Sequence, residues 1–280
     1  MRALTYERYG SSKLLAIREL PDLRPGHGEV LVRVRAAALN PKDVFTLKGR
    51  FRLLSGRRFP KVVGLDLAGE VAAVGPAAGA FRPGDRVFGF LSGFAALRGS
   101  VAEEVAVPAR WLAPMPQRAS FEEAAAIALA GSTALQALRD VARLRPGDRL
   151  LVNAAAIQVA RLLGAVVTTT SSAARRDLCR SLGADEALDH TRGEHLSGGR
   201  AYRVVFDVFG NLSLSAARPA LGPGGVFVTT VPSRRIFLDA LRTPLGPVRA
   251  RLVRVAGGHH GDLFTREGDR LLSEIARLGG

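Results

Sequence analysis

From Arg145 onward the chain alternates short, Val-rich apolar runs with helix-forming segments, and this alternation restricts the possible folds more than any other feature of the sequence. The apolar runs are RLLVNAA, AVVTTTS, RVVFDVFG and GGVFVTTVP. AIQVARLLG and ARRDLCRSLG lie between them as the helical segments, with the short run EALDH after the second. Unbroken apolar runs suit strands covered on both faces, and regular strand-helix alternation predicts a parallel, doubly wound sheet. Upstream the texture differs. EVLVRVRAAAL (29–39) alternates apolar and basic positions after the turn residues Pro25 and Gly26, and VVGLDLAGEVAAVG (62–75) repeats the pattern. Pro83-Gly84-Asp85 then leads into RVFGF, and VAEEVAVP (101–108) adds one more run, so this half predicts an antiparallel, barrel-like β unit. At Ser120 the sequence changes to SFEEAAAIALAGSTALQAL, where Ser120 followed by Glu123 forms a capping box ahead of strong helix formers. The expected division is an α/β chain with a β domain at 1–119 and a doubly wound domain at 120–280.

Composition narrows the function classes. With 280 residues, 47% hydrophobic and 23% charged, the chain can build a large core and need not be disordered. Its single cysteine, Cys179, excludes an internal disulfide and a thiolate zinc site. The opening MRALTYERYG has no apolar secretory core, so the expected location is cytoplasmic. The uncharged stretch from Ala124 to Leu138 is shorter than the roughly 20 residues a spanning helix requires, so no membrane span is predicted. The formal charge of +15 invites a polyanionic partner, and the basic residues concentrate at 33–61 and 200–254. No recognised nucleic-acid module or interleaved aromatic pattern accompanies them, so nucleic acid is not the expected partner, and an anionic cofactor would use the same charge.

Three segments offer groups suited to chemistry. TTTSSAARR (168–176) follows the second apolar run, where doubly wound folds contact an adenosine ribose. A carboxylate there favours NAD, whereas Ser171, Ser172, Arg175 and Arg176 suit a 2'-phosphate, and no carboxylate appears before Asp177. The alternative is that these arginines solvate the start of the next helix. Asn40-Pro41-Lys42-Asp43 can hold a substrate carbonyl or a ribose hydroxyl, or it can simply form an Asx-type turn. Asp66, between Gly64 and Gly69, either makes an internal contact or lines a cleft. His27, His190, His195, His259 and His260 lack metal-ligand spacing and read as surface residues, and neither a nucleophile elbow nor a Walker loop is present.

Taken in order, AAALNPKDVFTLKG, FPKVVGLDLAGEVAAVG, FRPGDRVFGF, SVAEEVAVPARWLAPMP, EEAAAIALAGSTALQAL, LRPGDRLLVNAA, SLGADEALDH, VVFDVFG and LGPGGVFVTT resemble the zinc-free medium-chain dehydrogenase/reductases, in the NADPH:quinone oxidoreductase or zeta-crystallin-like group. The resemblance spans about the first 255 residues. It implies a GroES-like substrate domain, a Rossmann domain holding NADPH, and a cleft between them. It also implies hydride transfer to a quinone or an α,β-unsaturated carbonyl, with the protein positioning both partners. Zinc-dependent relatives carry Cys where this chain has Asn40 and a His-Glu pair at Leu65-Asp66, so no metal is expected. The resemblance assigns the catalytic polar pair to Asn40 and Asp43, and cofactor contacts to Thr133, Asn153, Phe209, Gly210 and Val231. A position where some members carry a tyrosine is Phe45 here, and Phe45, Phe51 and the segment 88–99 would wall an apolar cleft. Dimers through the edge of the cofactor-domain sheet are common in the group.

Two departures stand out. Between RLLVNAA and AIQVARLLG the family's glycine-rich turn is shorter by about seven residues, roughly two helical turns, leaving a helix from Ala156 to Leu163 about 12 Å long. Those glycines let the backbone approach a pyrophosphate, so cofactor affinity should fall. The chain also closes at Gly280 after one amphipathic segment, where members usually add a strand and helix returning to the first domain. These departures support a rival expectation, a cofactor-impaired, non-catalytic relative acting as a binding protein. The charge supports a second rival, an RNA-associated protein whose binding falls with salt.

Overall fold

The computed structural model describes residues 1–91, 98–152, 156–197, 199–231, 236, 238–239 and 248–253. Its contacts divide into two units at Leu129/Ala130.

In the first unit, β1 (Arg2–Tyr6) and β2 (Ala16–Glu19) form an antiparallel pair, followed by β3 (Glu29–Ala38), α1 (Pro41–Leu47) and α2 (Arg52–Ser55). Then come β4 (Lys61–Val62), β5 (Asp66–Val74), β6 (Arg86–Phe90), β7 (Glu104–Pro108) and β8 (Leu112–Pro114). They assemble as a three-stranded sheet, β2-β1-β4, and a five-stranded antiparallel sheet, β7-β3-β5-β6-β8. The inward positions Val30, Val32, Leu67, Val87, Val105 and Val107 make the core. The run at 62–75, read as one strand, is broken into β4 and β5. Gly64 turns the chain at a φ of 94°, and a Cβ there would meet Val101 Cγ2 at 2.7 Å. The run at 101–108 is strand only from Glu104. Arg33 and Arg35, the basic positions of β3, point outward and pair across strands with Glu104 at 3.6 Å and Glu70 at 2.8 Å.

α3 (Phe121–Leu135) begins at the expected capping box. Ser120 N–H donates to Glu123 Oε2 at 2.8 Å, and Glu123 N–H donates to Ser120 Oγ at 3.1 Å. The helix crosses the boundary between the units and continues as a π-helical segment over Gln136–Val141.

The second unit holds β9 (Arg149–Val152), α4 (Ile157–Leu162), β10 (Val166–Ser171), α5 (Arg176–Ser181) and β11 (Glu186–Asp189). β12 (Tyr202–Asp207), α6 (Leu214–Ala217), β13 (Leu221–Thr229) and β14 (Arg249–Leu252) complete its described elements. The sheet order is β11-β10-β9-β12-β13-β14 with every pair parallel, the doubly wound order that reverses direction between β9 and β12. Leu150, Val152, Val204, Val205, Phe206 and Val228 are buried, as strands covered on both faces require. α4 has six residues, about 9 Å at the usual rise, shorter than the expected helix. The expected closing segment of the chain lies outside the described residues.

Candidate active site

In the first unit the polar cluster follows from strand register. Ala38 of β3 pairs with Asp66 of β5, so the chain leaving β3 carries Asn40 back beside Asp66. Asn40 Nδ2 donates to Asp66 Oδ2 at 2.9 Å. Pro41 then starts α1, where its fixed φ and missing N–H are tolerated. Asp43 Oδ2 accepts the Asn40 N–H at 2.7 Å and closes the first helical turn. The Asx-type turn and the polar pair are therefore the same structure. Its reach extends to Asp66, a residue outside the expected site set whose one signal was a carboxylate in an apolar strand.

Asp66 is 1% exposed, and its Oδ1 has no donor at hydrogen-bond geometry among the described residues. Burial pushes its carboxyl up to about 7. The Asn40 amide opposes the shift, the Asp43 charge adds to it, and the Leu129 amide and Lys42 pull downward. Asp43 is also raised, by burial, against the lowering effects of the Asn40 N–H and Lys42. Lys42 is lowered by burial, with the two carboxylates resisting. Tyr6 is pushed up to about 12, first by burial and then by neighbouring Tyr9 and Asp43. Such a cluster can orient an amide donor and keep a carboxyl group poised to hold or release a proton near neutral pH. The Phe45 ring, expected in an apolar wall, carries the Arg50 guanidinium 4.5 Å from its centre. Of the wall segment at 88–99, residues 92–97 lie outside the described residues.

In the second unit the expected cofactor residues fall into two groups at the carboxyl end of the sheet. Ser171 ends β10, and Ser172, Arg175 and Arg176 follow it into α5. His190, read as a surface residue, is exposed, and its Nδ1 lies 3.0 Å from the Ser171 carbonyl oxygen. His195, also read as a surface residue, is buried, because the turns after β11 fold it inward. The second group is Phe209, Gly210 and Val231. Asp207, at the end of β12, accepts the N–H groups of Gly210, Asn211 and Leu212 at 3.0, 3.2 and 2.8 Å and so shapes this loop. Thr230 Oγ1 donates to the Val208 carbonyl at 2.6 Å, which ties the loop after β13 to it. Asp207 was missed because an acid ending a strand has no distinctive pattern in sequence. Thr133 is half-buried on α3, and Asn153 lies outside the described residues.

Gly210 has a φ of 73°, and a Cβ on it would come 2.8 Å from Val231 Cβ. Gly210→Ala is therefore expected to cost about 1–3 kcal/mol and to displace the loop, seen as a lower denaturation midpoint together with weaker nucleotide binding. An unchanged midpoint would show that Val231 yields without cost.

Among the described residues no group of three or more His, Cys, Asp and Glu side chains could hold a metal ion, and no helix is long and apolar enough to cross a membrane.

Residues 26–117 match the alcohol dehydrogenase GroES-like domain, and residues 152–238 match the zinc-binding dehydrogenase family. The chain is 32% identical over 270 residues to the chloroplastic quinone-oxidoreductase QR1 of Triphysaria versicolor, covering 90% of this chain and 82% of that protein. A solved NAD-dependent alcohol dehydrogenase superposes with a TM-score of 0.81 at 31% identity, over 98% of this chain and 90% of its own. A mycobacterial protein solved with NADPH gives 0.74 at 30% identity, over 99% and 87%. With both domain matches in order, the 3-2-1-4-5-6 parallel sheet, and this degree of identity over most of a quinone oxidoreductase, the chain belongs to the medium-chain dehydrogenase/reductase family of oxidoreductases, alongside its quinone oxidoreductases.

Proposed function

We propose that the chain is a zinc-independent reductase that passes hydride from NADPH to a quinone or an α,β-unsaturated carbonyl. The observation that carries the reading is the group at the end of β10. Two serine hydroxyls and two arginines follow the strand, with no carboxylate before Asp177, which is the chemistry that accepts a 2'-phosphate. NADPH, when bound, supplies the hydride. Arg175 and Arg176 would pair with its 2'-phosphate while Ser171 and Ser172 donate to the same oxygens. Phe209, Gly210 and Val231 would face the nicotinamide on a loop held by Asp207. In the first unit, Asn40 would use its second amide hydrogen to polarise the acceptor carbonyl, the first being given to Asp66. Asp66 acts through Asn40 as a positioning residue. The donor set speaks against zinc, because the carboxylate is bound by an amide nitrogen and has a lysine nearby in place of thiolate or imidazole.

Titration of the chain with NADPH and with NADH, followed by nucleotide fluorescence, tests the cofactor. NADPH is expected to bind at least about tenfold tighter. The double variant R175A/R176A should weaken NADPH by about tenfold to a hundredfold and leave NADH unchanged. Equal affinities would overturn the 2'-phosphate assignment. Reduction of a quinone or enone by NADPH then tests the activity.

The six-residue α4 favours a second reading, a non-catalytic relative that has lost its dinucleotide grip. A natively folded chain that binds neither nucleotide would establish that reading instead.

A further inference from the structure

We propose that the face built on α2 and its flanking cations is a docking surface for an anionic lipid bilayer. α2 is four residues long, and Leu53 is 93% exposed and Leu54 63%. Lys48, Arg50, Arg52, Arg57 and Arg58 surround them, all exposed, and the sequence has no acid between Asp43 and Asp66. None of these five cations pairs with a carboxylate among the described residues.

The leucines are not the loose end of a loop, because α2 is tied down from beneath. Ser55 is buried, and its Oγ donates to the Phe51 carbonyl at 3.0 Å and lies 2.8 Å from the Tyr9 hydroxyl. Tyr9 also bonds to the Gly56 carbonyl. The Lys61 side chain, fully buried, donates from Nζ to the Ser55 carbonyl at 2.6 Å and rests 5.2 Å from the centre of the Phe59 ring. Burying an ammonium group is unfavourable, and here it serves to hold the turn that presents Leu53 and Leu54. A segment so firmly anchored, with aliphatic side chains outward and arginines beside them, matches an interfacial element. Leucines enter the acyl boundary while arginines meet lipid phosphates.

Charge complementarity selects this occupant. A second copy would bring five cations that no described carboxylate neutralises against five more. A single-stranded nucleic acid would need stacking surfaces, and here the Phe51 ring is half-buried and the Phe45 ring is already covered by Arg50. The inference stands apart from the reductase reading. If both hold, an apolar acceptor dissolved in a bilayer meets the protein on the unit that carries Asn40.

The test is flotation of the full chain with vesicles of phosphatidylcholine alone and of phosphatidylcholine mixed with phosphatidylglycerol, at low and high salt. Binding is expected only to the mixed vesicles, and it should fall as salt rises. L53S/L54S and, separately, R52Q/R57Q/R58Q should each weaken it by about tenfold or more, with circular dichroism and NADPH affinity unchanged. Three results would overturn the proposal. The first is equal binding to both vesicle types, or binding unaffected by L53S/L54S. The second is a dimer, seen by sedimentation without lipid, that L53S/L54S dissolves. The third is retention on RNA that exceeds vesicle binding and depends on the same arginines.

Discussion

Gly69→Ala is expected to lower stability by about 3 kcal/mol or more and to leave little folded first unit under ordinary conditions. Gly69 lies on the central strand β5, between Val34 of β3 and Val87 of β6. A Cβ there would run into the Arg33 carbonyl oxygen and come 2.9 Å from Val32 Cγ1. The carbonyl belongs to the neighbouring strand, so relief requires separating β3 from β5 rather than rotating a side chain. The same ladder sets Ala38 opposite Asp66, so the Asn40–Asp66 hydrogen bond should be lost as well. Urea denaturation followed by circular dichroism reads the effect. Gly84→Ala provides the contrast, since its Cβ would meet nothing within 4 Å and only the φ of 92° opposes it, at about 1 kcal/mol. Equal midpoints for Gly69→Ala and the unsubstituted chain would show that β3 and β5 can part without cost.

Asp66→Asn should make the protein more stable at alkaline pH and leave it unchanged at acid pH. The folded-state carboxyl titrates at about 7 against an ordinary value of 3.8, chiefly because it is buried. The folded chain therefore holds the extra proton between about pH 4 and 7, and stability falls as pH rises through that window. A gap of about three pH units corresponds to about 4 kcal/mol, lost in full above pH 7. Asparagine has the shape of the neutral acid and no proton to lose, so the variant should match the unsubstituted chain at about pH 3 and exceed it by up to about 4 kcal/mol at pH 8. Denaturation midpoints across pH measure this directly, and parallel stability curves for the two proteins would refute it. If Asp66 positions Asn40 as proposed, the variant should also flatten the pH dependence of kcat near 7 while leaving KM for NADPH in place.

How much could be read from sequence differs between the two units. The parallel sheet was legible because strands buried on both faces must be apolar throughout, and RLLV, VVFD and VFVT carry that signature without help from context. The helix start at Ser120 was legible because a capping box is a local device. β1, β2 and β14 gave no such signal. β2 is exposed along its whole length, and β14, the last strand of its sheet among the described residues, reads RARL with arginines at alternate positions. Ser171, Ser172, Arg175 and Arg176 could be placed after their strand from chemistry and order alone. Asp207 could not, because its importance lies in three N–H groups that meet it only once the loop is folded.

The sequence by itself determined the class of each half, the strand-helix alternation of the second half, the family, and the positions of Asn40 and Asp43. These depend on residue type and short spacing, and physical chemistry acts on those locally. Only the tertiary structure decided that Asn40 bonds to Asp66, 26 positions away, that Asp66 is buried with one oxygen unmatched, and that Leu53 and Leu54 face outward. Each of these depends on strand register and on what covers a side chain. Register and burial arise from the packing of distant segments, so no stretch of the chain specifies them alone.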